Sequence, residues 1–341
     1  MLELQNVLYV VTTGSVLRLE QDAVRVEVER SLRARFPLNG LAGIVAVGRV
    51  SITTALLARC AEDGRSVVWL DSRGRFLARV EGRTRGNVLL RRAQHLALDD
   101  AERTFRIARQ VVAGKLQNTR HVLMRGAREA GDESVELTRQ ADHIAQAIVQ
   151  TGMVQDIETL RGVEGDAARA YFSVFRYLVK TDQEALTLLR RTRRPPRDRM
   201  NSLLSFLYAL LRAECVAALE GVGLDPQVGY LHTLRPGRPA LALDLMEELR
   251  PILADRLALT LVNRRQVGLD DFEQQPGGAF YLSDEGRRTV IRAYQQRKEE
   301  VVRHRLLRRA LPVGLLPHVQ ARILARHLRG DLEEYQPFVG R

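Results

Sequence analysis

The sequence predicts an α+β protein in two unequal parts, a small β-rich N-terminal domain over residues 1–86 and a larger all-α C-terminal domain over residues 87–341. Three observations carry that prediction. Short β-branched segments crowd the N-terminal part, the periodicity turns helical from Asn87 onward, and 341 residues are too many for one minimal core.

Taken in order, residues 6–12 (NVLYVVT), 15–19 (SVLRL) and 23–29 (AVRVEVE) read as strands. They are β-branched, bounded by Gly14 and by Gln21 and Asp22, and the third alternates at period two. GIVAVG at 43–48, SVVWL at 66–70 and RFLARVEG at 75–82 are further strands, the last two joined by the turn-forming DSRG. Between them ITTALLARCAEDG spells one short helix ended by Gly64. From Asn87 on, Ala, Leu, Arg and Glu dominate, and helix is expected nearly to the end. Breaks are expected at 131–132, 162–165, 195–196 and 221–239, and in QQPGG at 274–278.

Composition narrows the function. Hydrophobic content of 45% with 28% charged residues is that of a folded globular chain. No apolar run approaches the roughly 18 residues of a spanning helix, and the start MLELQNVLYVV carries an acid where a leader wants positive charge, so no membrane and a cytoplasmic location are expected. Cys60 and Cys215 are far apart in apolar surroundings and offer neither a disulfide framework nor a thiolate zinc site. A formal net charge of +12 points to nucleic acid, because a basic surface gains affinity from phosphate counterion release. Only Lys115, Lys180 and Lys298 are lysines, so a compositional preference for arginine is also at work, although it does not explain the excess over acids.

In RGVEGDAARAYFSVF a helix is expected to begin near Glu164. Ala167, Ala168, Tyr171, Phe172 and Phe175 then follow on its face. Glu164 thus heads a stripe that turns into the core, where a carboxylate needs a partner, unless it merely complements the helix N-terminus. A second helix, beyond Ala240, buries Leu241, Leu245, Leu249, Ile252 and Leu253. Asp244, Glu247, Glu248 and Pro251 share another face, three, four and seven apart. Like charges at that spacing call for something positive opposite, and Arg250 and Arg256 are at hand. Pro251 cannot donate to the carbonyl of Glu247, so a kink is expected beside the acids.

His232 lies a short loop upstream. An imidazole with carboxylates makes a mixed nitrogen and oxygen set suited to Mn²⁺ or Mg²⁺. His95, His121, His143, His304, His318 and His327 lack such an acidic context in sequence. A divalent ion held by Glu164, His232 and one acid of the 244–248 cluster could polarise a phosphodiester. Arg190, Arg191, Arg193, Arg194, Arg197 and Arg199 in RRTRRPPRDR, with Arg238, are the candidate phosphate track. RHRLLRR at 303–309 is a weaker one, expected to decorate a helix.

These residues carry a resemblance. Glu164 with its small residues and aromatics, RMNSLLSFLYALL, the run GVGLDPQVGYLHTLRPGRPALALDLMEELRP and the late GGAFYLSDEGRR are similar to the CRISPR-associated protein one family, a metal-dependent integrase and endonuclease of spacer acquisition. The likeness spans essentially the whole chain and agrees with a β-rich domain followed by a helical one. It implies that Glu164, His232 and Glu247 bind Mg²⁺ or Mn²⁺, with Asp244 beside them and Asn201 close by. It implies joining of captured double-stranded DNA to a CRISPR repeat by transesterification, a homodimer through the β-rich domains, and assembly with the small CRISPR-associated protein two. Ala240 departs from a serine common in the family, which puts a helix-capping hydroxyl in doubt but no ligand. The rival expectation is a non-enzymatic, helical DNA-binding protein whose acids are only structural. No acid-x-Lys nuclease motif, adjacent His-Asp pair or GxxxxGK[ST] loop supports another enzyme class.

Overall fold

In a computed structural model the described residues are 6–82, 88–181, 183–188, 190–192 and 195–340. The N-terminal part begins with β1 (Asn6–Val10) and a meander of β2 (Ser15–Glu20), β3 (Ala23–Val28) and β4 (Ser31–Pro37). Its two tight connections put Gln21 and Asp22, then Glu29 and Arg30, at positive φ, the conformation that matches the twist of a two-residue hairpin. No Gly or Asn marks the second turn and β4 is exposed along most of its length, so the sequence carries neither usual signal for this strand. There follow β5 (Leu41–Val47), the two-residue β6 (Ser51–Ile52), α1 (Thr54–Asp63), β7 (Ser66–Leu70) and β8 (Phe76–Val80). Gly64, at φ 73°, closes α1 as expected.

These strands form two four-stranded sheets, ordered β4-β3-β2-β6 and β1-β5-β7-β8. In the second, β1, β5 and β7 run parallel while β8 is antiparallel to β7. Ile44 and Ala46 of β5 pack with Leu17, Val24 and Leu56 in one core. Val45 and Val47, on the opposite face, join the core of the helical body. A strand covered on both faces needs an unbroken apolar run, which GIVAV supplies.

The helical part holds α2 (Val88–Asp99), α3 (Ala101–Glu129), α4 (Ser134–Thr151), α5 (Ile157–Val174), α6 (Arg199–Val222), α7 (Ala240–Leu249) and α8 (Arg256–Asn263). Asp100, Asp156 and Asp198 cap α3, α5 and α6 by accepting from the backbone N–H three residues on. By length and composition α6 could cross a membrane, the one such helix among the described residues, yet most of its apolar window is buried as a core helix. Arg212 and Glu214 interrupt its apolar run in sequence.

Three expectations change. Helix α5 starts at Ile157, not near Glu164, because Asp156 caps it; Gly162 and Gly165 lie inside it with open space where a side chain would project. Glu164 therefore sits two turns into the helix, too deep to serve the N-terminal dipole. The helical region also contains two hairpins, β9 (Phe272–Gln274) with β10 (Phe280–Leu282) and, after α9 (Asp284–Glu299), β11 (Val301–His304) with β12 (Arg309–Pro312). QQPGG is the turn of the first, and RHRLLRR is the tip of the second rather than a helix surface.

Helix α10 (Leu316–Leu328) follows, and residues 331–340 then run back over the body without regular structure, burying Tyr335 and Phe338. Arg287 donates to the Ser72 carbonyl (3.0 Å) and Gln295 to that of Val7 (3.1 Å), seating the parallel sheet on the helices. The expected boundary at 86/87 lies outside the described residues. Cys60 and Cys215 are buried and unbonded.

Candidate active site

Helix α7 and the loop before it build the centre. Gly229 lets the loop cross the first turn of α7: a Cβ there would lie 2.6 Å from the Ala240 carbonyl carbon and 2.8 Å from Asp244 Oδ2. The Pro226 carbonyl accepts from the N–H groups of Leu241 (2.9 Å) and Ala242 (3.2 Å), which otherwise have no partner in the first helical turn. The Asp244 carboxylate, almost fully buried, accepts from the backbone N–H of Tyr230 (2.6 Å), Leu231 (3.0 Å) and His232 (3.0 Å). Arg161 of α5 grips the Leu231 carbonyl through two nitrogens, at 2.8 and 2.6 Å. The loop that carries His232 is thus fixed on two sides.

Asp244 Oδ1 also stands 2.7 Å from His232 Nδ1. Both of its oxygens already accept backbone N–H groups, so it meets the ring as an acceptor. That places the proton of a neutral ring on Nδ1 and turns the lone pair of Nε2 outward. Nε2 faces Glu247 Oε1 at 3.5 Å.

Glu247 is one turn beyond Asp244 and nearly inaccessible. Its Oε1 pairs with Arg250 at 2.8 Å and its Oε2 with Lys115 Nζ at 2.5 Å. Burial opposes ionisation here, but Arg250, Lys115 and His232 outweigh it and hold the carboxyl down at about 2. The same Lys115 ammonium, from the middle of α3, also pairs with Glu164 Oε1. The contacting oxygens of Glu164 and Glu247 are therefore no more than about two hydrogen-bond lengths apart, although the residues are far apart in sequence. Burial works to depress the Lys115 pKa, and the two carboxylates raise it on balance.

Glu248 does not share the face of Glu247. It turns away into a neutral pocket, accepting from Tyr335 (2.6 Å), Gln320 (3.1 Å) and the Phe338 N–H (2.5 Å). Burial raises its pKa to about 7 against those donors. The acid cluster thus splits: Arg250 supplies the expected positive partner for Glu247, whereas Arg256 lies by Arg297 and Arg125, its pKa lowered to about 10 first by burial and then by them. The expected kink is a π-helical segment over Arg250–Asp255 that takes in Pro251. It turns Asp255 inward, where Tyr208 (2.7 Å) and Tyr171 (3.1 Å) donate to it.

Asn201 is not among the three converging side chains. Its amide clamps the preceding loop, donating to the Arg190 carbonyl (2.7 Å) and accepting from Arg191 (2.6 Å) and the Thr192 N–H (2.9 Å). Arg191 lies over the Tyr208 ring at 5.4 Å, and Arg250 over the same ring at 5.3 Å, so Asn201 stands behind the centre. Of the candidate phosphate track, Arg190 and Arg197 are exposed. Arg199 packs over Phe280 at 4.5 Å, and Arg238 is half-buried beside the Thr233 carbonyl. Arg193 and Arg194 lie outside the described residues. His143 has an acid partner after all, Asp166 at 2.7 Å, brought to it by the pairing of α4 with α5.

Two carboxylates converging on one point and an imidazole lone pair beside them make a donor set of oxygen and nitrogen fit for Mg²⁺ or Mn²⁺. Among the described residues no three His, Cys, Asp or Glu side chains enclose one ion as placed; the Lys115 ammonium stands between the two carboxylates. Lys115 is the site residue that spacing did not reveal, whereas Arg250 was at hand as a partner for the acids. A faint signal existed for Lys115, as one of three lysines in an arginine-rich chain.

The profile of a family described as CRISPR associated protein Cas1 matches residues 8–296. The chain is 54% identical over 340 residues to CRISPR-associated endonuclease Cas1 1 of Moorella thermoacetica, covering 99% of both. It is 46% identical over 344 residues to CRISPR-associated endonuclease Cas1 2 of Rhodospirillum rubrum, again covering 99% of both. Its fold is similar to the solved structure of a CAS1 protein from Thermotoga maritima, with a TM-score of 0.81 and 25% identity over 98% of this chain and 100% of that one.

Proposed function

Since the chain belongs to the CRISPR associated protein Cas1 family, whose curated relatives are named endonucleases, we propose that it cuts and joins DNA during spacer acquisition by metal-assisted transesterification. In that reaction the 3′-hydroxyl of a captured double-stranded fragment attacks a phosphodiester at the edge of a CRISPR repeat. A new P–O bond forms and the old P–O3′ bond breaks; the attacking hydroxyl gives its proton to solvent, and the departing 3′-oxygen takes one from solvent to become a free 3′-hydroxyl. The observation that supports this most is the convergence of Glu164 and Glu247 on one cationic point, with the Nε2 lone pair of His232 facing Glu247.

Glu164, His232 and Glu247 would hold the ion. Bound Mg²⁺ or Mn²⁺ supplies charge neutralisation at the reacting phosphate. Asp244 fixes the tautomer of His232, which acts as a ligand and not as a base. Arg250 keeps Glu247 ionised and pinned in one orientation. Arg161, by gripping the loop, keeps His232 from swinging away. The exposed arginines of 190–199 would track the DNA backbone. A homodimer through the β-rich domains, joined to the small Cas2 protein in the cytoplasm, completes the proposal.

The test is a joining assay with labelled duplex and supercoiled repeat-bearing plasmid in Mn²⁺. Glu164→Ala, His232→Ala and Glu247→Ala are each expected to abolish joining while DNA affinity stays within about twofold of the parent. Full joining by all three variants would overturn the assignment.

A further inference from the structure

Lys115 is the one lysine at the centre, and its chemistry differs from that of the arginine beside it. Its Nζ contacts Glu164 Oε1 and Glu247 Oε2 together. Two carboxylate oxygens brought that close repel each other unless a cation lies between them. Arg250 holds the other oxygen of Glu247, and its guanidinium is engaged a second time by the Tyr208 ring, 5.3 Å away. An ammonium is a compact charge on a flexible stem, and it makes no planar fork with its partners. Lys115 also lines a cavity of about 30 Å³ that it shares with Tyr171, Tyr208 and Asp255, room into which a displaced ammonium can move. The chain uses arginine at nearly every other basic position and lysine here. A guanidinium would grip both carboxylates bidentately and would not yield.

We propose that Lys115 is the resident cation of the centre: it holds Glu164 and Glu247 together in the metal-free protein and must be displaced when a divalent ion binds. The inference rests on the reading that these residues bind metal. Lys115 is in this sense a positioning residue, which keeps the ligands assembled and sets the threshold at which metal enters.

The experiment is calorimetric titration of Mn²⁺ into the full chain without DNA, paired with thermal unfolding in chelator. Lys115→Met removes the competitor, so Mn²⁺ should bind about tenfold tighter or more, while the metal-free protein melts at a lower temperature that Mn²⁺ restores. Lys115→Arg, which keeps the charge in a less mobile form, should bind Mn²⁺ more weakly than the parent. Unchanged or weaker affinity in Lys115→Met overturns the proposal, as does parental or tighter affinity in Lys115→Arg should the Met variant not fold. Glu247→Gln reports separately on the metal site: parental Mn²⁺ binding by that variant would sink the site itself, whatever Lys115 does.

Discussion

Glu247 and Glu248 are adjacent in the chain, yet one is held at about 2 and the other raised to about 7. The difference comes from what folds against them, two cations in one case and neutral donors from residues 320–338 in the other. Spacing could therefore present three acids but could not sort them; the resemblance, not the periodicity, singled out Glu247. Asp255 belongs with Glu248, its pKa raised from 3.8 to about 6 by burial. A carboxyl with a raised folded pKa binds more protons folded than unfolded between the two values, so its contribution falls as pH rises through that window. Asp255→Asn removes this titration. We expect the stability of the variant relative to the parent to improve by about 3 kcal/mol between pH 3.5 and pH 7, read from paired denaturant curves in chelator. At the surface, the double variant Arg190→Ala with Arg197→Ala is expected to flatten the salt dependence of DNA binding by about two log–log units, measured by titration at several salt concentrations.

Helices were legible where apolar spacing repeats, as in α7, whose start, buried stripe and break at Pro251 all follow from sequence. They were less legible where glycines stand inside a helix with open space beside them: Gly162 and Gly165 look like an interruption of α5, although Asp156 has already started that helix. The hairpins β9–β10 and β11–β12 escaped because strands of three or four residues carry too little alternation to compete with a helical background. Contact between the loop and α7 depends on one backbone position. Gly229→Ala would drive a methyl group into the Ala240 backbone and the Asp244 carboxylate. It is expected to cost about 2 kcal/mol and to weaken Mn²⁺ binding, because His232 rides on that loop. Urea unfolding and metal titration of the same preparation check both halves.

Across the whole molecule, the order of a β-rich part and a helical part was plain from composition. The way they share a core was not, since the covered second face of β5 shows only once Val45 and Val47 are seen to meet the helical body. The segment 335–340 is a further long-range element. Gly114 on α3 leaves room for Pro337, and Asn118 donates to the carbonyls of Glu248 (2.7 Å) and Phe338 (2.8 Å). Phe338→Ala empties a buried site against His304 and is expected to destabilise the protein by about 3–5 kcal/mol in chemical denaturation. Asn118 and Phe338 are separated by 220 positions, and Glu248 and the N–H it accepts from by 90. During translation, the helix that bears Glu247 thus emerges from the ribosome long before the strap that completes its surroundings. Until those last residues emerge, Glu248 lacks the Tyr335 and Phe338 donors that hold it and Asn118 lacks the Phe338 carbonyl, so the inner face of α7 can close only after synthesis is complete.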